Sequence, residues 1–495
     1  MKIPGVMIAA ASSGSGKTVT ACGMMEAFRE KGLQVLACKC GPDYIDPMFH
    51  RQVLGIGSEN LDLYFSEPED LREIYAEHAK NADLTIIEGV MGYYDGMTLD
   101  SERASSYEVA KTLQVPVILV VPCRGMAYSV SAMIRGIAGF RSDSNIRGVI
   151  LNRISPSLYP RMKKMLEREL ADTGIRIVGY IPEDEVFRLD SRHLGLVTPE
   201  NIRNLKGQME RAGHILSQSL DLELIRQIAE KYSGLEINKC IKKRNDDYRN
   251  KFKDHVRIAV ASDEAFNFYY QANLRMLEHL GCELVPFSPL ADQKLPEEIG
   301  GLILGGGYPE EYAARLSENV SIREDIRAWI AKDGPCLAEC GGFLYLQEWL
   351  TGTDGKTWPM VGAIASGSER KDRLVRFGYM RAEALTDGIY LKKGESIRGH
   401  EFHYWDSSEN GKDCLAMKPD GKRSWECIHM KGNLFAGYPH LYYPSNPVFA
   451  ERFVERCRTV CKMGDNFRES PGYKETNLGD RNDDRRDKST DPACG

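Results

Sequence analysis

Short apolar runs alternate with helix-length stretches through residues 1–230 of the chain. Runs at 6–10, 33–38, 84–87, 117–121, 147–151 and 177–180 are four to six residues long, which is strand length, and the chain between them has room for helices, the first at 19–31. Such alternation predicts a mainly parallel sheet with helices on both faces. A second alternation opens at 256–261 and continues with a helix over 271–280 and strands at 283–286, 301–304 and 335–339. Residues 231–255 are dense in Lys, Arg, Asp and Asn without apolar periodicity and read as a linker, and the chain after 462 is too polar to build a core. The expected organisation is α/β in two domains, 1–235 and 256–461, with a linker at 236–255 and a disordered tail at 462–495.

Composition changes this picture little. A length of 495 residues exceeds one ordinary core, and 42% apolar with 27% charged residues are globular values. The formal net charge of −6 gives no electrostatic footprint for nucleic acid, so no such partner is expected. The apolar run 115–121 is far short of the roughly 20 residues that span a bilayer, and no membrane partner is expected. Residues 3–11 superficially resemble a secretion signal, but the apolar run is short and already serves as the first strand. Thirteen cysteines without paired Cys-x-x-Cys knuckles point to reduced thiols in a cytoplasmic protein. Cys38-x-Cys40 and Cys457-x₃-Cys461 read as packed small residues.

Candidate chemistry begins at residues 11–18, Ala-Ser-Ser-Gly-Ser-Gly-Lys-Thr, between the first strand and the first helix. Glycines there let successive amides curl round phosphates at a helix N-terminus, a lysine reaches the outer phosphates, and a hydroxyl holds Mg²⁺. Gly14, Ser15, Gly16, Lys17 and Thr18 fit a phosphate loop, whereas Ala11 stands where the full pattern has glycine. Ligands of such sheets bind beyond the carboxyl ends of the strands. The segments there are 39–47, with Asp43, and 88–96, with Glu88 and Asp95. Glu88 directly follows an apolar run and is placed to hold Mg²⁺ opposite Thr18; Asp43 and Asp95 are also ordinary turn residues.

A second constellation lies in the other half. Residues 335–339 end abruptly at Cys340, followed by Gly341 and Gly342, which is the pattern of a nucleophile on a sharp strand-to-helix turn. A helix N-terminus stabilises a thiolate, and amides of Gly306, Gly307 and Gly341 can form an oxyanion hole. Residues 400–403, His-Glu-Phe-His, carry histidines three apart rather than the four that H-E-x-x-H requires, which argues against a zinc protease.

The phosphate loop, 41–47, 88–96, Arg192-His193-Leu194-Gly195-Leu196, 263–270, 305–310 and 398–404, in that order over residues 3–460, together resemble the cobyrinic acid a,c-diamide synthase family of cobalamin biosynthesis. The resemblance implies a dethiobiotin-synthetase-like ATP-binding domain followed by a class I glutamine amidotransferase domain. It implies ATP with Mg²⁺, L-glutamine as amide donor, and a corrinoid or related tetrapyrrole whose two carboxylates are activated as acyl phosphates. By the same resemblance Asp43, Glu88 and Asp95 are catalytic, Tyr44 and Ile45 handle substrate, His440 is the base for Cys340, and 398–404 faces the macrocycle or the domain interface. Arg192 and His193 could meet its acid side chains. Tyr442 stands where many such domains have a carboxylate to orient the base, so a Cys–His dyad is expected. A further departure is Pro122-Cys123, where the family pattern leads one to expect Asp. A homodimer is compatible with this reading.

Alternatives are a hydrogenobyrinate or nickel-sirohydrochlorin substrate, and a synthase for the other corrin carboxylates. A septum-positioning or partition-type switch ATPase fits less well, because Ser12 stands where those proteins carry an extra lysine. Neither that class nor a dethiobiotin synthetase alone accounts for the residues after 255.

Overall fold

The computed structural model describes residues 2–188, 199–236 and 255–463. The expected linker and tail lie almost entirely outside them, as do Arg192 and His193. The first half builds seven parallel strands: β1 (Gly5–Ala10), β2 (Val35–Cys40), β3 (Ser58–Leu61), β4 (Leu84–Glu88), β5 (Val117–Pro122), β6 (Ile146–Asn152) and β7 (Arg176–Ile181). Their order is β3-β2-β4-β1-β5-β6-β7. Helices α1 (Lys17–Glu30), α2 (Ile45–Gln52), α3 (Pro68–Ala79), α4 (Ser106–Leu113), α5 (Ser129–Gly139) and α6 (Tyr159–Glu169) connect them, and α7 (Pro199–Ser219) and α8 (Leu222–Tyr232) follow. The strands read as unbroken apolar runs because both faces are covered. Met7, Ala9, Ile87 and Leu119 join one core, while Val6, Ile8, Ile86 and Ile118 join the other.

The central strands β2, β4 and β1 are neighbours, so the loops leaving their carboxyl ends converge. That places residues 11–16, 41–44 and 89–105 at one end of the sheet. Sequence patterning missed β3, Ser-Glu-Asn-Leu, because three of its four residues are polar; all four are buried.

In the second half, β8 (Val256–Ala261), β10 (Cys282–Phe287), β11 (Ile299–Leu304) and β13 (Cys336–Glu339) run parallel with Leu434–Gly437, and His429–Lys431 closes the edge antiparallel. The short pair β9 (Phe266–Phe268) and β12 (Gly306–Gly307) stands apart. Helices α9 (Gln271–His279), α10 (Ala313–Glu318), α11 (Val320–Ala331) and α12 (Gly341–Leu346) pack around this sheet. Two further sheets are inserted, a mixed one of four strands between Gln347–Thr351 and Trp405–Ser407, and an antiparallel one of five that carries Arg376–Ala384 and Ser396–His403.

The halves meet along β3 and the loop after it. Arg275 on α9 pairs with the fully buried Glu59. Tyr379 Oη donates to Asp62 Oδ2 at 2.7 Å, and Arg398 reaches Tyr64 O and Glu67 at 2.9 Å each. Phe65 stacks on Tyr442 at 4.9 Å between ring centres. These contacts explain why a polar strand is buried and why Tyr442 is aromatic: it is used in the interface.

Candidate active site

The phosphate loop needs its glycines for geometric reasons. Gly14 and Gly16 have φ of 74° and 90°, and a Cβ on Gly16 would stand 2.7 Å from Asn152 Nδ2. That same amide braces the loop by donating to Ser15 O at 2.9 Å. Ala11, by contrast, is exposed. Lys17 Nζ donates to Ser12 O at 3.0 Å and Met91 O at 2.6 Å, on the two loops that flank the site. Burial, then the nearby Lys39, lowers its amine to about 8, so it is a cation that anionic phosphates would stabilise.

Beneath the loop lies a cluster of buried charge. Glu88 accepts from Thr18 Oγ1 at 2.5 Å and from Lys39 Nζ at 2.8 Å, and His50 Nε2 lies 3.6 Å from its second oxygen. Lys39 also pairs with Asp46 and stands 4.0 Å from Asp43. Burial pushes the Glu88 carboxyl up, but Lys39 and His50 outweigh it and hold it below the usual carboxylate range. Burial opposes the charge on Lys39 as well, yet Asp46 and Glu88 keep it firmly protonated. Sequence reasoning missed Lys39, Asp46 and His50. A lysine inside an otherwise apolar strand, with Asp and His four apart on the helix that follows, was the available signal. Thr18 and Glu88 converge as a pair that could hold Mg²⁺, and among the described residues Glu88 Oε2 has no hydrogen-bond donor.

Asp43 and Asp95 each spend one oxygen on their loop. Asp43 Oδ1 accepts from Ile45 N at 2.9 Å at the start of α2, and Asp95 Oδ2 accepts from Gly92 N at 2.8 Å. The second oxygen of Asp43 is the one that stands 4.0 Å from Lys39 Nζ. At the Pro122-Cys123 departure, Cys123 is buried and donates to Val121 O at 3.3 Å.

Cys340 sits between β13 and α12 with φ 49° and ψ −104°. This positive φ in a non-glycine residue is the strained turn expected of a nucleophile held up for attack. Small neighbours are required: a Cβ on Gly342 would lie 2.1 Å from Leu304 O, and one on Gly306 would lie 2.2 Å from the His440 ring. The glycine turn therefore passes between the cysteine's loop and the histidine. Sequence reasoning anticipates a thiolate stabilised by the helix, but the electrostatics differ. Burial, then the charge of Glu310, raises the Cys340 thiol far above its ordinary range, although the Gly341 amide pulls the other way. α12 has only six residues and cannot offset this. His440 is 3% exposed; burial, then His400 and His403, lowers it to about 3. Free of ligands, the pair is a neutral thiol and a neutral imidazole. His440 Nδ1 has no partner among the described residues, and Tyr442, two residues on, faces Phe65 instead.

Tyr44 links the two constellations. It follows Asp43 in the first half, and its ring centre lies 4.6 Å from His440 and 4.4 Å from Tyr270 in the second. Around it opens a cavity of about 660 Å³. Pro42, Asp43, Tyr44, Ile45, Met91 and Asp95 line it from one side; Gly307, Cys340 and His440 line it from the other. The inserted sheets add a wall of Phe377, His400, Phe402 and Tyr404, with Lys418 and Arg423 beside it. Phe377 and Phe402 are 60% and 49% exposed. His400 and His403 lie on a strand, not a helix, and among the described residues no three metal-ligating side chains cluster.

A nucleotide-type phosphate loop in the first half and a cysteine–histidine pair in the second, the latter opening into a cavity that Asp43 and Asp95 of the first half also line, define a class: a P-loop domain joined to a glutamine amidotransferase. Comparison with known proteins agrees. Residues 6–197 match the model of the CobQ/CobB/MinD/ParA nucleotide binding domain, and residues 257–448 match the CobB/CobQ-like glutamine amidotransferase domain. A cobyrinate a,c-diamide synthase from Caldanaerobacter subterraneus is 40% identical over 91% of this chain and 98% of its own length. Enzymes of the same name from Listeria innocua and Picrophilus torridus are 38% and 39% identical over 89% and 93% of the chain and 97% and 100% of their own lengths. The chain belongs to the cobyrinate a,c-diamide synthase family and is an amide-forming ligase that uses ATP.

Proposed function

We infer that the protein amidates the a and c side-chain carboxylates of cobyrinate, with ATP as activator and L-glutamine as nitrogen donor. The observation that carries this reading is the shared cavity: Asp43, Asp95, Cys340 and His440 all border one space of about 660 Å³. Its exposed aromatic wall suits a broad, flat, apolar ring, and Lys418 and Arg423 suit that ring's peripheral carboxylates.

In this reading the amides of 14–18 and Lys17 hold ATP, and a substrate carboxylate oxygen attacks the γ-phosphorus to give an acyl phosphate and ADP. Thr18 and Glu88 would hold Mg²⁺, which supplies neutralising charge to the phosphates. Cys340 attacks the glutamine amide with His440 taking its proton, and the tetrahedral oxyanion is received by amides of Gly306, Gly307 and Gly341. His440 returns the proton to the leaving ammonia, and water later releases glutamate from the thioester. Ammonia attacks the acyl phosphate, expelling phosphate, and the carboxylates of Asp43 and Asp95 would accept the proton it sheds.

The test is turnover of cobyrinate with ATP and glutamine, read by product mass. Two carboxyl-to-amide conversions are expected. Conversion of nickel-sirohydrochlorin or hydrogenobyrinate, with cobyrinate untouched, would reassign the macrocycle.

A further inference from the structure

Glu310 closes the glycine turn, three residues after Gly307, and borders the cavity on the Cys340 side. The turn presses against the residue that follows the nucleophile: a Cβ on Gly341 would stand 3.0 Å from both Gly307 N and Pro309 Cδ. Glu310 is near enough that its charge is, after burial, the strongest influence on the Cys340 thiol. Yet among the described residues no side chain donates to its carboxylate and no cation pairs with it. The one charged neighbour that acts on it is Glu311, of the same sign, and burial pushes the Glu310 carboxyl up to about 8.

Three fully buried carboxylates in the molecule are handled differently. Glu88 has Lys39 and Thr18, Glu59 has Arg275, and Asp62 has the Tyr379 hydroxyl. Glu310 is half-buried, and a carboxylate partly withdrawn from water without a cationic partner gains when a ligand brings a cation to it. Glutamine is such a ligand: its side-chain amide must reach Cys340 Sγ, and its α-ammonium then trails roughly 5 Å behind the amide carbon.

We propose that Glu310 receives the α-ammonium of the glutamine held at Cys340, and so selects an α-amino acid amide over a simple carboxamide. The proposal rests on the reading of Cys340 as a glutaminase nucleophile. It adds a consequence: the bound ammonium draws the Glu310 carboxyl, which burial pushes up to about 8, back to its charged form, so the ion pair beside Cys340 exists only when the proper substrate is in place.

The test compares hydrolysis of L-glutamine with that of glutaramate, the same amide without the α-amino group, in the whole protein and in Glu310→Gln. Wild type is expected to prefer L-glutamine by roughly 10–100-fold in kcat/KM, the range for a hydrogen bond to a charged group. In Glu310→Gln that preference should fall to within about threefold, chiefly through a higher KM for L-glutamine, with glutaramate hydrolysis retained. Glu310→Asp, which keeps the charge, should keep most of the preference and covers the event that Glu310→Gln disturbs the loop. If Glu310→Gln and Glu310→Asp both preserve the wild-type ratio, or lose both substrates in equal measure, Glu310 does not hold the ammonium, while the glutaminase reading stands. If wild type hydrolyses no glutamine at all, that reading falls and this proposal with it.

Discussion

The two candidate sites manage charge in opposite ways. Around the phosphate loop the charges are kept and paired: Lys39 lies between Glu88 and Asp46, and Lys17 points at two carbonyls. Around Cys340 burial drives groups toward neutrality, with the thiol and Glu310 pushed up and His440 pushed down. Phosphoryl transfer gathers negative charge, so fixed charge that needs no reorganisation serves it. Thioester chemistry threatens to waste glutamine by hydrolysis, and a site whose nucleophile stays protonated until substrate arrives is quiet when idle. On the proposed function, the contrast sets an always-ready activating site beside a latent ammonia source.

The contrast can be broken most severely at Lys17. Lys17→Ala should lower amidation by about 1,000-fold or more with either nitrogen source, since the phosphates lose their fixed cation; a steady-state assay near the wild-type rate would remove the phosphate-loop assignment. Glu88→Gln should lower turnover by about 100-fold and shift its Mg²⁺ dependence more than nucleotide binding. A Mg²⁺ titration that leaves the two proteins alike would reduce Glu88 to a structural partner of Lys39. Lys39→Met leaves Glu88 and Asp46 buried against each other and should destabilise the fold by about 3–5 kcal/mol in urea unfolding; no change would mean that the cluster is already neutral.

Smaller effects sharpen the neutral side. His440 is held at about 3, below its unfolded value of about 6.5, so it contributes stability that is present above pH 6.5 and lost as pH falls toward 3. Measured against His440→Gln, wild type should lose about 2 kcal/mol between pH 7 and pH 5. Glu339 is raised by burial from 4.5 to about 8, so the sign reverses: against Glu339→Gln, wild type loses stability as pH rises through that window. Parallel pH profiles for the two variants would contradict the assignment of opposite shifts.

Much of this was legible from sequence where one local rule decides the structure. The strands 6–10 and 256–261 were readable because burial on both faces demands unbroken apolar runs, and they appear as Gly5–Ala10 and Val256–Ala261. Gly16 and Cys340 were readable because a positive φ or a sharp turn leaves a mark in residue type. What was not legible depends on contacts between distant segments. Ser58–Leu61 looks like a loop until Arg275 from the other half meets Glu59. The inserted strands at 347–427, which supply the aromatic wall, alternate too irregularly to announce themselves. Lys39 was hidden because a buried cation is intelligible only once Glu88 and Asp46 are beside it. The protonated state of Cys340 likewise follows from burial and from Glu310, which local sequence does not reveal.

The central claim is that two separable chemistries meet across one cavity, ammonia release at Cys340 and carboxylate activation by the phosphate-loop half, which lines that cavity with Asp43 and Asp95. Amidation by Cys340→Ala, measured side by side with glutamine and with ammonium at a pH that supplies free NH₃, tests it most directly. The account predicts that glutamine-dependent amidation vanishes while ammonia-dependent amidation persists at a substantial rate. Wild-type amidation from glutamine in this variant, or loss of both nitrogen sources with ATP binding intact, would contradict it.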